Sequence, residues 1–163
     1  MITILVAVTT DLAIGKNGDQ LYYISADLRR FREFTTGHTI VMGRKTFDAL
    51  PKGALPNRRN IVVSRQPGLT LPGADVAASL DEAVRIAGDD DIFIIGGAQI
   101  YNAAMPLADC IELTEIEATR PDADTFFPAI DPDRWQTVAI TEAETDQRSG
   151  VGYRYRTLRR VKP

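Results

Sequence analysis

The segment from Tyr22 to Phe34, YYISADLRRFREF, sets one carboxylate among apolar side chains. At helical spacing Ile24, Asp27, Leu28, Phe31 and Phe34 share a face, while Arg29, Arg30, Arg32 and Glu33 occupy the other. Ser25 suits the N-cap of a helix over residues 25–35, which puts Asp27 in the first turn. The helix dipole favours an anion there, so a purely structural Asp27 is the simplest reading. The alternative is a functional carboxylate on the inner stripe, and deciding for it takes support from other parts of the chain.

Three further stretches carry groups suited to anions. In VMGRKTF a strand ends at Gly43 and a helix opens at Arg44, Lys45 and Thr46, combining free N–H groups, two cations and a hydroxyl. In IFIIGGAQIY an apolar strand runs into Gly96-Gly97 and then a helix, and paired glycines let a backbone approach a pyrophosphate closely. In VVSRQPG a third strand end offers Ser64 and Arg65. Neither the P-loop spacing nor the G-x-G-x-x-G fingerprint is present. Ligands of open α/β sheets bind at the carboxyl ends of strands, and a phosphorylated dinucleotide needs cations for its extra phosphate. Arg44 and Arg65 suit that role.

These groups need a scaffold, and the apolar pattern supplies one. ITILVAV is a continuous apolar run, as expected of a strand covered on both faces. TIVM, NIVVS and DIFIIGG are further short strands. Helical patterns at 25–35, 44–50, 80–87 (capped by Ser79) and 99–104 alternate with them, which implies parallel β-α-β units. In the last third, CIELTEIEA, WQTVAITEAE and YRYRTLRR follow one another without helices, so this end of the sheet should be antiparallel, with a hairpin around DQRSGVG. The expected fold is α/β: one domain over 1–163, with a mainly parallel mixed sheet and about four helices. Residues 9–23 are long for a connection and read as a functional loop, often a lid. The turn-rich segment PKGALPNRRN presents Arg58 and Arg59.

Composition narrows the function classes. Of 163 residues, 44% are hydrophobic and 25% charged, and the net charge of −3 gives no nucleic-acid footprint. Cys110 and His38 are the only residues of their types, so no disulfide framework is possible and a Cys/His metal site is nearly excluded. His38 lies in TTGHTIV between Gly37 and a strand, a turn position rather than a catalytic one. The first apolar run is too short to span a bilayer and has no basic n-region. No membrane or nucleic-acid partner and no metal are expected, and a lone cysteine fits a reducing cytoplasm.

The motifs AIG, ADLRRF, VMGRKTF, LPNRRNIVVS, IFIIGGAQIY and DTFFP occur in this order across essentially the whole chain. Together they resemble dihydrofolate reductase of the bacterial chromosomal type. That resemblance implies NADPH-dependent reduction of 7,8-dihydrofolate to tetrahydrofolate, with hydride transfer to C6 and protonation of N5. Asp27 matches the active-site carboxylate, which accepts paired N–H donors from the pterin and favours its protonated form. Partial burial is expected to raise its pKa, and Thr114 matches the hydroxyl that supports it. Leu5, Val6 and Ala7 match pterin-pocket positions, and Phe31 the ring that packs on the substrate. Leu28, Leu50 and Leu55 match the wall of the p-aminobenzoyl region, and Arg58 the partner of the glutamate α-carboxylate. Lys52, Ile95 and Tyr101 fall with the substrate as well. The cofactor side comprises Ala7, Ile14, Gly15, the Asn17-Gly18 turn, Gly43, Arg44, Lys45, Thr46, Ser64, Arg65, Thr125 and the run Gly96, Gly97, Ala98, Gln99, Ile100, Tyr101. The adenosine-binding part spans roughly residues 38–88. The family also implies a cis peptide between Gly96 and Gly97, a monomer, and binding of antifolate inhibitors.

Two features depart from the family pattern. Leu21-Tyr22 stands where many members carry Pro-Trp, so Tyr22 is expected to take over the organisation of solvent near the pterin. On the strand of Thr114 the apolar phase slips between Leu113 and Ile116, which predicts a bulge or twist. A same-fold aminopyrimidine reductase of riboflavin synthesis would share the NADPH site but not Asp27 and Arg58. A non-catalytic NADPH-binding module would have no use for a carboxylate on the stripe.

Overall fold

The computed structural model describes residues 1–162. In chain order the strands are β1 (Ile2–Thr9), β2 (Ala13–Lys16), β3 (Asp19–Gln20), β4 (Thr39–Gly43), β5 (Arg59–Val63), β6 (Ala74–Ala77), β7 (Ile92–Ile94), β8 (Cys110–Glu117), β9 (Thr125–Phe126), β10 (Trp135–Ile140), β11 (Glu144–Thr145) and β12 (Gly152–Arg160). The helices are α1 (Ser25–Thr35), α2 (Arg44–Asp48), α3 (Leu80–Ala87) and α4 (Ala98–Ala104).

The main sheet has the order β10-β12-β8-β1-β7-β4-β5-β6, with β11 paired to β12. β1 lies at its centre, parallel to both β7 and β8. The pairs β7–β4, β4–β5 and β5–β6 are also parallel. β12 returns antiparallel between β8 and β10, and the Asp146–Gly150 turn closes its short pairing with β11. The mixed architecture and its antiparallel C-terminal end therefore match the sequence reading.

One face of the sheet packs Ile4, Val6, Val8, Ile94, Ile111 and Leu113 against Leu80, Ala83, Tyr101 and Ala104 of α3 and α4. The opposite face packs Ile40, Met42 and Phe93 with Phe47 of α2 and Phe34 of α1, and a smaller group joins Ile24, Ile116 and Tyr153. Ile4, Ile40, Ile61, Ile94 and Ile111 are completely buried, each worth about 1.5–3 kcal/mol relative to exposure. α3 begins as its sequence implies: Ser79 accepts the Glu82 N–H at 3.1 Å, and Glu82 accepts the Ala78 N–H at 2.8 Å.

Several local expectations are corrected. Ser25 is the first residue of α1 rather than its cap. Ile24 occupies the cap position in extended backbone with no side-chain hydrogen bond, and its carbonyl accepts the Leu28 N–H at 3.1 Å. α2 stops at Asp48, two residues short of Leu50, and α4 starts one residue early, at Ala98. β8 has no bulge. Its register to β1 and β12 is unbroken, and the phase slip arises because both faces are covered, with Glu112 and Thr114 turned toward α1. The irregularity lies in edge strand β10, between Thr137 and Ala139. The segment 9–23 is not an open loop either: β2 and β3 form a hairpin that pairs with β9 as a second, three-stranded sheet.

Candidate active site

Asp27 sits in the first turn of α1, where the lack of a side-chain cap leaves the initial amides free for an anion. The stripe around it is not sunk in a core. Only Thr35 of α1 is buried, Phe31 and Phe34 are half-buried, and Leu28 is 45% exposed. An apolar helix face left partly open is the wall of a cleft, which is the physical reason the stripe departs from simple core burial.

Across this cleft β8 aims Thr114 at Asp27, and its Oγ1 donates to Oδ1 at 2.5 Å. Among the described residues no other side chain bonds the carboxylate, so Oδ2 keeps its acceptor capacity. Burial pushes the Asp27 carboxyl above the usual range, opposed by the Thr114 hydrogen bond and then by the nearby Arg30 charge. The direction matches the sequence expectation.

Strand alternation sorts the residues of β1. Leu5 packs, like Phe34, Leu50, Leu55 and Ile95, against the cluster of Ile40, Met42 and Phe93, while Ala7 and Tyr22 pack against that of Ile24, Ile116 and Tyr153, both on the α1 side. Val6 points into the opposite core with Ile4 and Val8, so only its backbone faces the cleft. Residues 50–56 line a cavity of about 230 Å³, with Lys52 exposed at its edge. Arg58 donates through Nε to the Pro56 carbonyl at 2.8 Å and through Nη1 to Thr35 Oγ1 at 3.2 Å. Burial and then the charge of Arg32 lower its pKa, and among the described residues it has no carboxylate partner. These contacts aim a guanidinium whose charge is still available.

The three anion features lie side by side, because β7, β4 and β5 are neighbours in the sheet. The Gly43 N–H donates to the Gly96 carbonyl at 2.9 Å, and the Gly96–Gly97 peptide is cis. Gly96 has φ of 127°, which excludes most side chains, and a Cβ there would lie 3.4 Å from Thr46 Oγ1. A Cβ on Gly43 would lie 3.2 Å from Ile100. Backbone without side chains thus packs closely around Thr46, where Ala98 and Gln99 open α4. The buried Tyr101 hydroxyl donates to the Leu5 carbonyl at 2.8 Å and ties α4 to β1. Burial, followed by the charge of Asp27, raises its pKa, so it stays a neutral donor. Lys45 and Arg65 are exposed, Arg44 pairs with Asp48 at 2.9 Å, and Ser64 Oγ accepts the Gln66 N–H at 3.2 Å.

The β2–β3 hairpin closes this side. Gly15 pairs with Thr125, Ile14 packs against the main core, and Asn17 and Gly18 form the turn with φ of 52° and 79°. Asp124 accepts the Asn17 N–H at 2.8 Å, and Lys16 pairs with Asp122 at 3.2 Å. Tyr22 is half-buried beneath Arg120, whose guanidinium lies 5.7 Å from the ring centroid. His38 pairs with Asp90 at 3.2 Å and packs on Phe93, and the buried Cys110 thiol is pushed up to about 11, chiefly by burial. Both take structural roles, consistent with their turn and strand positions.

The family model described as Dihydrofolate reductase matches residues 1–160. The chain belongs to the dihydrofolate reductase family. The dihydrofolate reductase of Neisseria meningitidis serogroup A is 41% identical over 155 residues, covering 94% of each chain. That of Bacillus subtilis is 35% identical over 156 residues, covering 95% of this chain and 92% of its own. A solved structure of dihydrofolate reductase from Enterococcus faecalis, complexed with NADP(H) and RAB-propyl, superposes with a TM-score of 0.91 at 31% identity, covering 99% of this chain and 97% of that one.

Some residues around this cleft escaped sequence reasoning. Arg30 and Glu112 pair at 2.8 Å one helical turn beyond Asp27, and Thr157 Oγ1 donates to Glu112 at 2.7 Å. The signal was present: Asp27 and Arg30 are three apart on a helix, and Glu112 and Thr114 two apart on a strand. Asp11, Arg120, Asp122 and Asp124 had no such signal, because the contacts that tie the segment 11–17 to the segment 120–124 span more than a hundred positions.

Proposed function

We propose that this member of the family reduces 7,8-dihydrofolate to 5,6,7,8-tetrahydrofolate with NADPH, and that Asp27 anchors the pterin. The observation carrying the assignment of Asp27 is one carboxylate on the open apolar face of α1, with Oδ1 held by Thr114 and Oδ2 left for a ligand. A flat heterocycle bearing paired N–H donors suits that acceptor, and a buried anion raises the proton affinity of a bound ring. Leu5, Ala7, Leu28, Phe31 and Ile95 would supply apolar walls. Leu50, Lys52, Leu55 and Arg58 would take the p-aminobenzoyl-glutamate portion. Arg58 suits a carboxylate, since its fork is already aimed by Thr35 and Pro56.

The residues present fit a phosphorylated dinucleotide. A Cβ on Gly43 or Gly96 would crowd Ile100 or Thr46, so the backbone there is left bare. Cations with no carboxylate partner among the described residues stand near it at Lys45 and Arg65. When bound, the cofactor supplies the hydride delivered to C6. Gly96, Gly97, Ala98, Gln99, Ile100 and Thr46 would hold the pyrophosphate and nicotinamide portions, and Ala7, Ile14, Gly15, Asn17, Gly18 and Thr125 would cover the reduced ring. Arg44, Lys45, Ser64 and Arg65 would hold the adenosine phosphate within residues 38–88. Hydride transfer needs no protein acid, so the chain contributes positioning and exclusion of water. Tyr22 would order the solvent from which N5 is protonated. Antifolate compounds are expected to compete for Asp27. We place the reaction in the cytoplasm, in a monomer, which a lone buried Cys110 suits.

Stereospecifically labelled NADPH tests the reading. With dihydrofolate the label should appear at C6 of tetrahydrofolate. Reduction of a riboflavin-pathway aminopyrimidine instead, or NADPH binding without turnover, would contradict it.

A further inference from the structure

α1 meets the sheet through two consecutive polar rungs. The first is Asp27 on Thr114, and the second, one helical turn on, is Arg30 on Glu112. The side chains of the second rung are 25% and 11% exposed, so this ion pair is largely withdrawn from water. Arg30 has little freedom to leave. Its guanidinium lies 3.9 Å from the ring centroid of Tyr155 and 5.1 Å from that of Phe34. Glu112 is pinned in turn by Thr157 at 2.7 Å and approached by the Cys110 thiol at 3.7 Å.

We propose that Arg30 is a positioning residue for the reaction: clamped between Glu112 and Tyr155, it holds a fixed positive charge beside Asp27 and sets the charge state in which that carboxylate meets the substrate. The proposal rests on Asp27 being the substrate anchor. Burial alone would drive Asp27 toward its neutral form, which could not accept both N–H donors of a pterin edge. Thr114 supplies one counterweight and Arg30 the other.

The remaining groups near Asp27 do not duplicate this charge. Tyr101 from α4 and Tyr155 from β12 both feel the Asp27 anion and stay neutral, Tyr155 being pushed up to about 12 chiefly by burial. The thiol of Cys110 on β8 also stays neutral. Arg29 and Arg32 lie on the exposed side of α1. Two acidic side chains also lie on this side: Glu112 of β8, which pairs with Arg30 and offsets part of its field, and Glu144 of β11, which bonds the Tyr153 hydroxyl and acts on Tyr155. Arginine suits the position because it cannot deprotonate and can stack flat on Tyr155 while bonding a carboxylate.

The test is a carbon-13 carboxyl NMR titration of the ligand-free protein, with the Asp27 signal assigned by its loss in Asp27→Asn. Arg30→Met keeps the apolar stem but removes the charge, and should raise the Asp27 midpoint by about one pH unit, a tenfold gain in proton affinity. Arg30→Lys should restore most of the wild-type value. Glu112→Gln leaves Arg30 unopposed and should move the midpoint the other way. An unchanged midpoint in Arg30→Met would overturn the proposal. If that variant does not fold, Arg30→Gln, which keeps an N–H donor for Glu112 but carries no charge, decides: a higher midpoint supports the proposal, and an equal or lower one overturns it. The pH profile of kcat/KM for dihydrofolate should follow the same order. Because the titration needs no turnover, it stands even where dihydrofolate proves not to be the substrate, and the two failures are distinguishable.

Discussion

Asp27 gains its chemistry from what surrounds it. A first-turn aspartate on a solvated helix would be a dipole partner and little more. Here Thr114 fixes one oxygen and burial makes the remaining acceptor count. Thr114→Val should therefore remove a counterweight to burial, move the acid limb of the pH–rate profile upward, and lower kcat/KM by about tenfold, the scale of one buried hydrogen bond to a charge. A profile superimposable on wild type would show that Thr114 does not control the carboxylate. Tyr22 raises a different question, since its phenol occupies the position where the family pattern has an indole. Tyr22→Phe is expected to slow the step limited by N5 protonation while leaving the KM for NADPH unchanged. Isotope-resolved single turnovers would check this, and an unaltered hydride step with an unaltered pH profile would remove Tyr22 from the proton path. Asp27 was legible from its place on the apolar stripe, whereas Thr114 and Arg58 were singled out by the family resemblance rather than by any spacing of their own. The side-chain direction of Val6 was legible through strand alternation alone, and it places that side chain away from the cleft.

At the scale of elements, α1 and α3 were read to the residue because the apolar period ran cleanly, and Ser79 caps α3 as expected. β2, β3 and β6 were not, because AIGK, DQ and ADVA have neither the length nor the alternation that marks a strand. They exist through pairing with distant partners, a tertiary effect. β8 misled in the other direction: polar Glu112 and Thr114 on a covered face look like a register slip until Arg30 and Asp27 are placed above them. The β2–β3 hairpin is held by exposed ties more than by apolar contacts, so it should open without the core opening. Asp124→Ala removes the acceptor for the Asn17 N–H and should speed hydrogen exchange of that amide. It should weaken NADPH binding several-fold and leave the unfolding midpoint nearly unchanged. Exchange at Asn17 identical to wild type would show that the hairpin is held by something other than Asp124. The exposed Lys16–Asp122 pair adds little, and less at high salt.

For the whole molecule, the site is a cost carried by the fold. A carboxyl whose folded-state pKa is raised binds its proton more tightly folded than unfolded. Its penalty is absent below the unfolded pKa, grows as pH rises through the folded pKa, and is fully present above it. Asp27→Asn keeps an oxygen for Thr114 and removes that penalty. It should raise the melting midpoint of the ligand-free protein at pH 7 by roughly 2–4 °C, the scale of 1 kcal/mol in a chain of this length. The gain should vanish in acid, and calorimetry at two pH values decides it. The same substitution tests the account most directly through activity. The measurement is the initial rate of dihydrofolate-dependent NADPH oxidation by wild type and by Asp27→Asn near neutral pH. The account predicts steady turnover by wild type and a loss of about 100-fold or more in the variant, the range for losing one preorganised electrostatic contact, with NADPH affinity retained. Undiminished activity in Asp27→Asn, or oxidation of NADPH that does not depend on dihydrofolate, would contradict it.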